Sequence, residues 1–465
     1  MRNLFNSAHS VAAFAGRLAG RAILASSLVL PFMAQPAQAQ QGRVAVIRDA
    51  EIETLLKDYA VPILKAAGLS RRGIEIVLVN DPSFNAFVAG RRIFINTGAI
   101  QSAETPNEII GVLAHEAGHL AGGHQQRLRE QMERARTMAI VGGLLGIGAM
   151  AAGSVAGSRS GTSAGGALVS AAPGIAMRGL LSYRRSEEMN AVQAAVKYLR
   201  ATKQSAKGML ATFERFSSSL ALAGVQVDPY QISHPLPRER IAMLETLAHE
   251  SPYFDKADPA ALMQRHQLAR AKVAAFSGGQ PAVARLFGRD RSSLAGRYGD
   301  AIATDLSGNS RAALGKMDEL VKAAPNNAYF HEFRGEILLK LRRPGDAANA
   351  FGRAMKLAND SSGLIRSRYA FALLSTGDPG NARKSVDNFR AAIQSDPDNL
   401  NAYLHLSQAY GLTGDIGNAD LAMAEGHFRA GSMREAQVFA ARALQRLPKG
   451  TPGARRANDI LSVAK

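Results

Sequence analysis

His115-Glu116-Ala117-Gly118-His119 is the pentapeptide of this chain whose types and spacing can do chemistry. On a helix, residues four apart share a face, so both imidazoles can reach one metal ion. Glu116 lies one step round, where its carboxylate can take a proton from water. Zinc in such a place lowers the pKa of water towards about 7 and polarises a scissile carbonyl. The arrangement needs a third protein ligand. His124 follows His119 by five residues and, on a continuous helix, points to another face. The segment Arg184 to Val192 offers the carboxylates of Glu187 and Glu188 on a later helix. Two histidines from one helix and one glutamate from another leave the fourth position open for water. No competing constellation stands out. There is no Cys, so thiolate ligands and cysteine nucleophiles are excluded. The Gly-rich stretch 142–166 lacks the Lys-Ser/Thr of a nucleotide loop. His249, His266, His331, His405 and His427 are dispersed singly and read as structural.

The motif needs a helix, and the flanking sequence supplies one. Pro106 to about Glu133 has helical periodicity, with Thr105 as N-cap and Glu108 three residues on, a capping-box spacing. Upstream, residues 44–70 predict a helix from apolar residues at three- and four-residue steps. Ile74–Val79 is a β-branched run, and Ala86–Ala89 with Ile93–Ile95 predict two strands around a tight turn at Gly90. Residues 137–181 are apolar and Gly-rich in two pieces joined by a Gly/Ser stretch, which predicts a helical hairpin or lid that can touch lipid. Helix is expected again over 183–223, and 228–250 as a loop followed by a helix. Beyond a connector at 252–290 the chain repeats: Pro325-Asn326-Asn327-Ala328-Tyr329 returns 72 residues later as Pro397-Asp398-Asn399-Leu400-Asn401-Ala402-Tyr403. That distance is near two periods of a 34-residue tetratricopeptide unit. Gly345-Asp346, Gly377-Asp378 and Gly414-Asp415 fall where such a unit turns between its two helices. Stacked helix pairs present a concave binding face and carry no catalytic constellation.

Taken together, these segments resemble the HtpX-like and CAAX-prenyl-protease-like zinc metallopeptidases, in particular the periplasmic branch with a tetratricopeptide tail. The likeness extends over His115 to His119, Asn85-Ala86-Phe87, Arg185-x-x-Glu188, Ser233-His234-Pro235 and the repeats. It implies one zinc ion per chain held by His115, His119 and Glu188, with Glu116 as the catalytic base. It also implies that Asn85, Ala86 and Phe87 form an edge strand to which an extended substrate adds as a further strand. The same resemblance brings His234 near the metal, to polarise the substrate carbonyl or to take the open zinc position. Clients would be misfolded or stalled outer-membrane proteins, with the repeats recruiting substrates and envelope partners. The chain departs from the family in one respect. The family's Arg-x-x-Glu precedes an Ala-Asp pair, and the Asp falls on Val192 here.

Composition bounds the rest. The 465 residues exceed one ordinary core, and 46% hydrophobic with 20% charged residues is a globular balance. No Trp and 6% aromatics favour helices packed through small residues. The net charge of +18 suggests an anionic partner, but the basic residues are scattered and not interleaved with aromatics, which argues against nucleic acid. Arg2, Arg17 and Arg21, the apolar run Ala22–Ala34 and Ala37-Gln38-Ala39 form a secretory signal pattern. The expected organisation is a signal peptide at 1–39, a metallopeptidase domain at 40–250, a helical connector at 251–294 and tetratricopeptide-like repeats at 295–465. The expected fold is mainly α: a zincin-type domain with a small β-sheet, followed by an α-solenoid. The expected location is the periplasm, free or in peripheral contact with membrane. A rival reading is a chaperone-like module with a weak or vestigial metal site, which the Val192 departure favours.

Overall fold

The computed structural model describes residues 45–70, 73–155, 159–222, 234 and 238–463, with backbone alone over 142–143, 146–155, 159–176 and 218–222. The signal pattern at 1–39 and the residues flanking His234 lie outside the described residues. Strand β1 (Val46–Ile47) precedes helix α1 (Ala50–Ala66), and strands β2 (Glu75–Val79), β3 (Ala86–Ala89) and β4 (Arg92–Asn96) complete a four-stranded sheet of order β1-β2-β4-β3. The helix expected over 44–70 is therefore shorter, because Ile47 pairs with Leu78 in the sheet and Asp49 caps α1 through the backbone N–H of Ile52. β3 and β4 are antiparallel around Gly90, whose φ of 62° suits a residue without Cβ. The two-residue period puts Ala86, Val88, Ile93 and Ile95 into the core and stacks Phe87 on Phe94 on the opposite face. β3 ends the strand order, so one of its edges pairs with no strand among the described residues.

After α2 (Thr97–Ser102), helix α3 (Pro106–Gly122) carries the motif. Glu108 reaches back to accept from the backbone N–H of Thr105 at 3.3 Å, as the capping-box spacing predicts. The helix stops earlier than the expected Glu133, because Gly123 adopts the left-handed conformation (φ 65°, ψ 27°) and ends it. Helices α4 (His124–Val155) and α5 (Arg159–Ala201) then form a long antiparallel hairpin. Most of the Gly/Ser stretch expected as its connection is itself helical. No helix among the described residues is long and apolar enough to cross a membrane. Helices α6 (Lys207–Leu222) and α7 (Arg238–His249) complete the core around α3.

Helix α8 (Ala260–Phe287) bends at Gly279 (φ 60°) and leads into five helix pairs. Their first helices begin at residues 294, 328, 363, 400 and 433, steps of 34, 35, 37 and 33 residues. That is the tetratricopeptide period, so the tail is an α-solenoid. Asp378 and Asp415 cap the second helices of their pairs, each after a glycine of positive φ. At the earlier position the left-handed residue is Arg342, and Gly345 lies inside the helix opened by Pro344.

His266 ties α8 to the motif-bearing half of the fold. Its Nε2–H donates to the carbonyl of Ala103 at 2.9 Å, and its Nδ1 accepts from the Tyr59 hydroxyl at 3.1 Å. Burial lowers its pKa from 6.5 to about 4. The unfolded chain therefore binds a proton that the folded chain refuses, and stability falls as pH drops from 6.5 to about 4, by up to about 1.4 kcal/mol per pH unit. We expect His266→Leu, less stable throughout, to lose less on acidification across that window. Urea titrations at several pH values check this, and equal slopes for both proteins would contradict it.

Candidate metal centre

α3 lies close against its neighbours because two of its three glycines stand at the contacts. A Cβ on Gly118 would come within 2.9 Å of the Ala191 carbonyl oxygen on α5, and one on Gly111 within 2.6 Å of Met209 Cβ on α6. With the backbones in near contact, Glu188 of α5 reaches the two motif histidines. His115 Nε2 and His119 Nε2 are 3.1 Å apart. Glu188 Oε2 is 3.3 Å from the first and Oε1 is 3.4 Å from the second. The fourth corner is His234 Nδ1, 3.0 Å from Glu188 Oε1 and 3.4 Å from His115 Nε2.

One donor atom from each of the four residues lies within 4.8 Å of the others, and all four residues are buried. A tetrahedral site with bonds of about 2.0–2.1 Å has edges of about 3.3 Å, which these separations approach. The donor set of ring nitrogens and carboxylate suits a divalent transition ion. Burial lowers His115 to about 3, against the pull of Glu188, so the ring is neutral and its lone pair is available. Burial opposes ionisation of Glu188, but the imidazoles of His234, His115 and His119 outweigh it and hold the carboxyl well below its usual range. Arg240 adds a cation, donating from Nη1 to Glu188 Oε2 at 2.7 Å and from Nη2 to the His234 carbonyl at 3.0 Å.

Glu116 stands apart from this set. Burial pushes its pKa up to about 8, and neither carboxylate oxygen has a hydrogen-bond partner among the described residues. Its Oε1 lies 3.5 Å from His234 Nε2. The cavity beside it is lined by Phe87, Glu116, His119, Tyr183, Glu187 and His234. A carboxylate with no hydrogen-bond partner among the described residues, facing such a cavity, is placed to handle a proton from a reactant.

Of the expected edge-strand residues, Phe87 lines the cavity; Ala86 points into the core, and Asn85 accepts through its carbonyl from the Asn96 N–H. The edge is met by Gln125, whose amide donates to the Val88 carbonyl and accepts from the Gly90 N–H. Glu187 is not in the four-atom set and pairs with His124 at 2.8 Å. His124 does not point away from the site as the five-residue spacing suggested: the chain turns at Gly123, and His124 comes back against His119. Arg240 is a residue of the site that the sequence does not reveal: it stands 52 positions from the carboxylate it holds, and no spacing marks the pair.

Val192 is buried in the apolar core, and Nδ1 of His115 has no hydrogen-bond partner among the described residues. One turn beyond Glu188, position 192 shares its face of α5. An Asp there would be placed to accept from the outer nitrogen of a ligand histidine, so we expect Val192→Asp to hold a divalent metal tighter, by about 10-fold or more. Competition with a chelator measures this, and unchanged metal release from a folded variant would contradict it.

Residues 47–248 match the profile of peptidase family M48. The Beta-barrel assembly-enhancing protease of Escherichia coli (strain K12) is 22% identical over 407 residues, covering 85% of this chain and 79% of the relative. The protein of the same name from Yersinia pestis is 23% identical over 350 residues, 74% of this chain and 69% of the relative. Among solved structures, YrrB, described as a TPR protein with an unusual peptide-binding site, is 18% identical, with 38% of this chain and 91% of that chain covered and a TM-score of 0.31.

Proposed function

Starting from a chain that carries a peptidase family M48 domain at residues 47–248 and is thus a metallopeptidase, we propose a zinc-dependent endopeptidase of the cell envelope, acting in quality control of exported or outer-membrane proteins. The observation that carries the reading is the convergence of one donor atom each from His115, His119, Glu188 and His234, within 4.8 Å of one another, beside the carboxylate of Glu116, which has no hydrogen-bond partner among the described residues. His115, His119 and Glu188 hold the zinc, one ion per chain. Bound there, zinc supplies Lewis acidity towards a peptide carbonyl and makes water nucleophilic at neutral pH. Glu116 accepts the proton of the attacking water and returns it to the leaving amine nitrogen. Its raised pKa suits both halves of that cycle near neutrality.

The substrate enters as an extended strand along β3, with Phe87 beside the scissile bond and Gln125 giving up the Val88 and Gly90 backbone groups. His234 takes the fourth corner in this conformation, so it must withdraw before substrate binds; Arg240 keeps hold of Glu188 meanwhile. The repeats recruit protein substrates and envelope partners. Exposed Met138, Ile140, Leu144 and Leu145 on α4, near exposed Arg134 and Arg136, suit peripheral contact with an anionic membrane face. The location is the periplasm. A second reading, a chaperone-like binding module with a closed metal site, is favoured by one observation: the corner occupied by His234.

We expect Glu116→Gln to keep its metal and lose hydrolysis by about 100- to 10,000-fold. His234→Ala, with the fourth corner vacated, should cleave an unstructured peptide faster than wild type. Peptide hydrolysis with and without chelator decides between the readings: absent or chelator-insensitive activity in all three proteins sinks the protease and leaves the binding module.

A further inference from the structure

The motif helix ends at Gly122, and the left-handed Gly123 turns the chain so that the next helix begins at His124. This turn lays the His124 ring nearly perpendicular to that of His119, at 86°, with the two Nδ1 atoms 2.9 Å apart. Gly122 leaves room for it, since a Cβ there would run into the His124 ring. On its far side His124 Nε2 lies 2.8 Å from Glu187 Oε2, and the same oxygen accepts from Arg127 Nη2 at 2.9 Å.

With a metal held at the site, these contacts assign the hydrogen positions. His119 turns its Nε2 towards His115 and Glu188, so that atom must keep its lone pair to serve a metal, and the ring proton sits on Nδ1. His119 Nδ1–H then donates to His124 Nδ1, and His124 Nε2–H donates to Glu187, whose carboxylate Arg127 holds in place. We propose that His124, backed by Glu187, is a positioning residue of the metal centre: it sets the tautomer and ring orientation of His119 and raises the basicity of its inner nitrogen. The inference rests on the reading that His115, His119 and Glu188 bind zinc. His124 is not itself a ligand, because its near nitrogen faces the outer nitrogen of His119, and it lies outside the group of four converging atoms. The other motif histidine, His115, has no such partner for its outer nitrogen among the described residues. Support from behind thus falls on His119, and His124 provides it.

The test uses the full chain as wild type, His124→Ala, His124→Gln and Glu187→Gln, loaded with zinc or cobalt(II). Zinc affinity is read by chelator competition and ligand geometry by the visible spectrum of the cobalt form. His124→Ala should still take one ion per chain but hold it about 10- to 100-fold more weakly, with shifted cobalt bands of undiminished, tetrahedral intensity. His124→Gln, whose amide can accept from His119 and donate to Glu187, should recover most of the loss, and Glu187→Gln should show a smaller one. The proposal is overturned if Ala and Gln at 124 match wild type in affinity and spectrum. It is also overturned if His124→Ala gives the weak bands of a site that has lost a ligand. A wild-type chain that takes up no zinc overturns the zinc reading first, and this inference with it.

Discussion

Gly118 of α3 stands where any Cβ would press within 2.9 Å of the Ala191 carbonyl on α5, so these two helices meet backbone to backbone. That contact sets the geometry of the centre. Glu188 lies one helical turn before it and Val192 beside it, so the same close approach brings a carboxylate to the histidines and buries an apolar side chain next to them. Gly111 does the same against α6, which brings the Phe213 ring to 6.0 Å from the ring of His115. A motif helix with larger residues at 111 and 118 would stand off from its partners by more than a hydrogen bond tolerates. The five-residue signature therefore needs two glycines, one of them inside it.

A carboxylate as buried as Glu188 is costly unless it is paired. Here the pairing is divided. The three imidazoles face it from the side where a cation would sit, and Arg240 holds Oε2 from the other. Arg240 is itself 1% exposed, lies 5.6 Å from the Phe213 ring and spends its second nitrogen on the His234 carbonyl. One guanidinium thus adds to the hold of the imidazoles on Glu188 and ties down the backbone of the residue at the fourth corner. Withdrawal of the His234 ring by side-chain rotation leaves that backbone tie intact, whereas withdrawal of the whole segment breaks it.

The parts of this site that were legible in the sequence are those fixed by local periodicity. The four-residue spacing of His115 and His119, the alternation of β3 and β4, and the 72-residue recurrence in the tail all follow from short-range geometry. What escaped depends on where helices stop and what they meet. A helix run through to Glu133 sends His124 to the wrong face; the Gly122-Gly123 pair that ends it is a stop signal placed inside an otherwise helical pattern. Likewise Ile47 fits a helical stripe but is drawn into the sheet by Leu78. Arg240 and Glu188 are 52 residues apart, and no periodicity links them.

The junction between the metallopeptidase half and the tail follows the same rule of buried charge. Lys272 of α8 is buried and sits 2.7 Å from Asp49 and 3.2 Å from Glu51, both at the start of α1. Tyr298, in the first repeat, donates its hydroxyl to Glu51 at 3.0 Å. Burial raises Glu332 of the second repeat to about 8, although Lys272 pulls the other way. One cation thus serves acidic groups from α1 and from the repeats, and Arg48 adds an ion pair to Asp396 at 2.8 Å further along. Removing one member of such a set strands the others in a low-dielectric interior, which typically costs about 3–5 kcal/mol. The repeats are for that reason built onto the first helix of the metallopeptidase half. α1 in turn packs against the helix that carries His115, Glu116 and His119, so the buried charge set and the motif helix share α1 as a common neighbour.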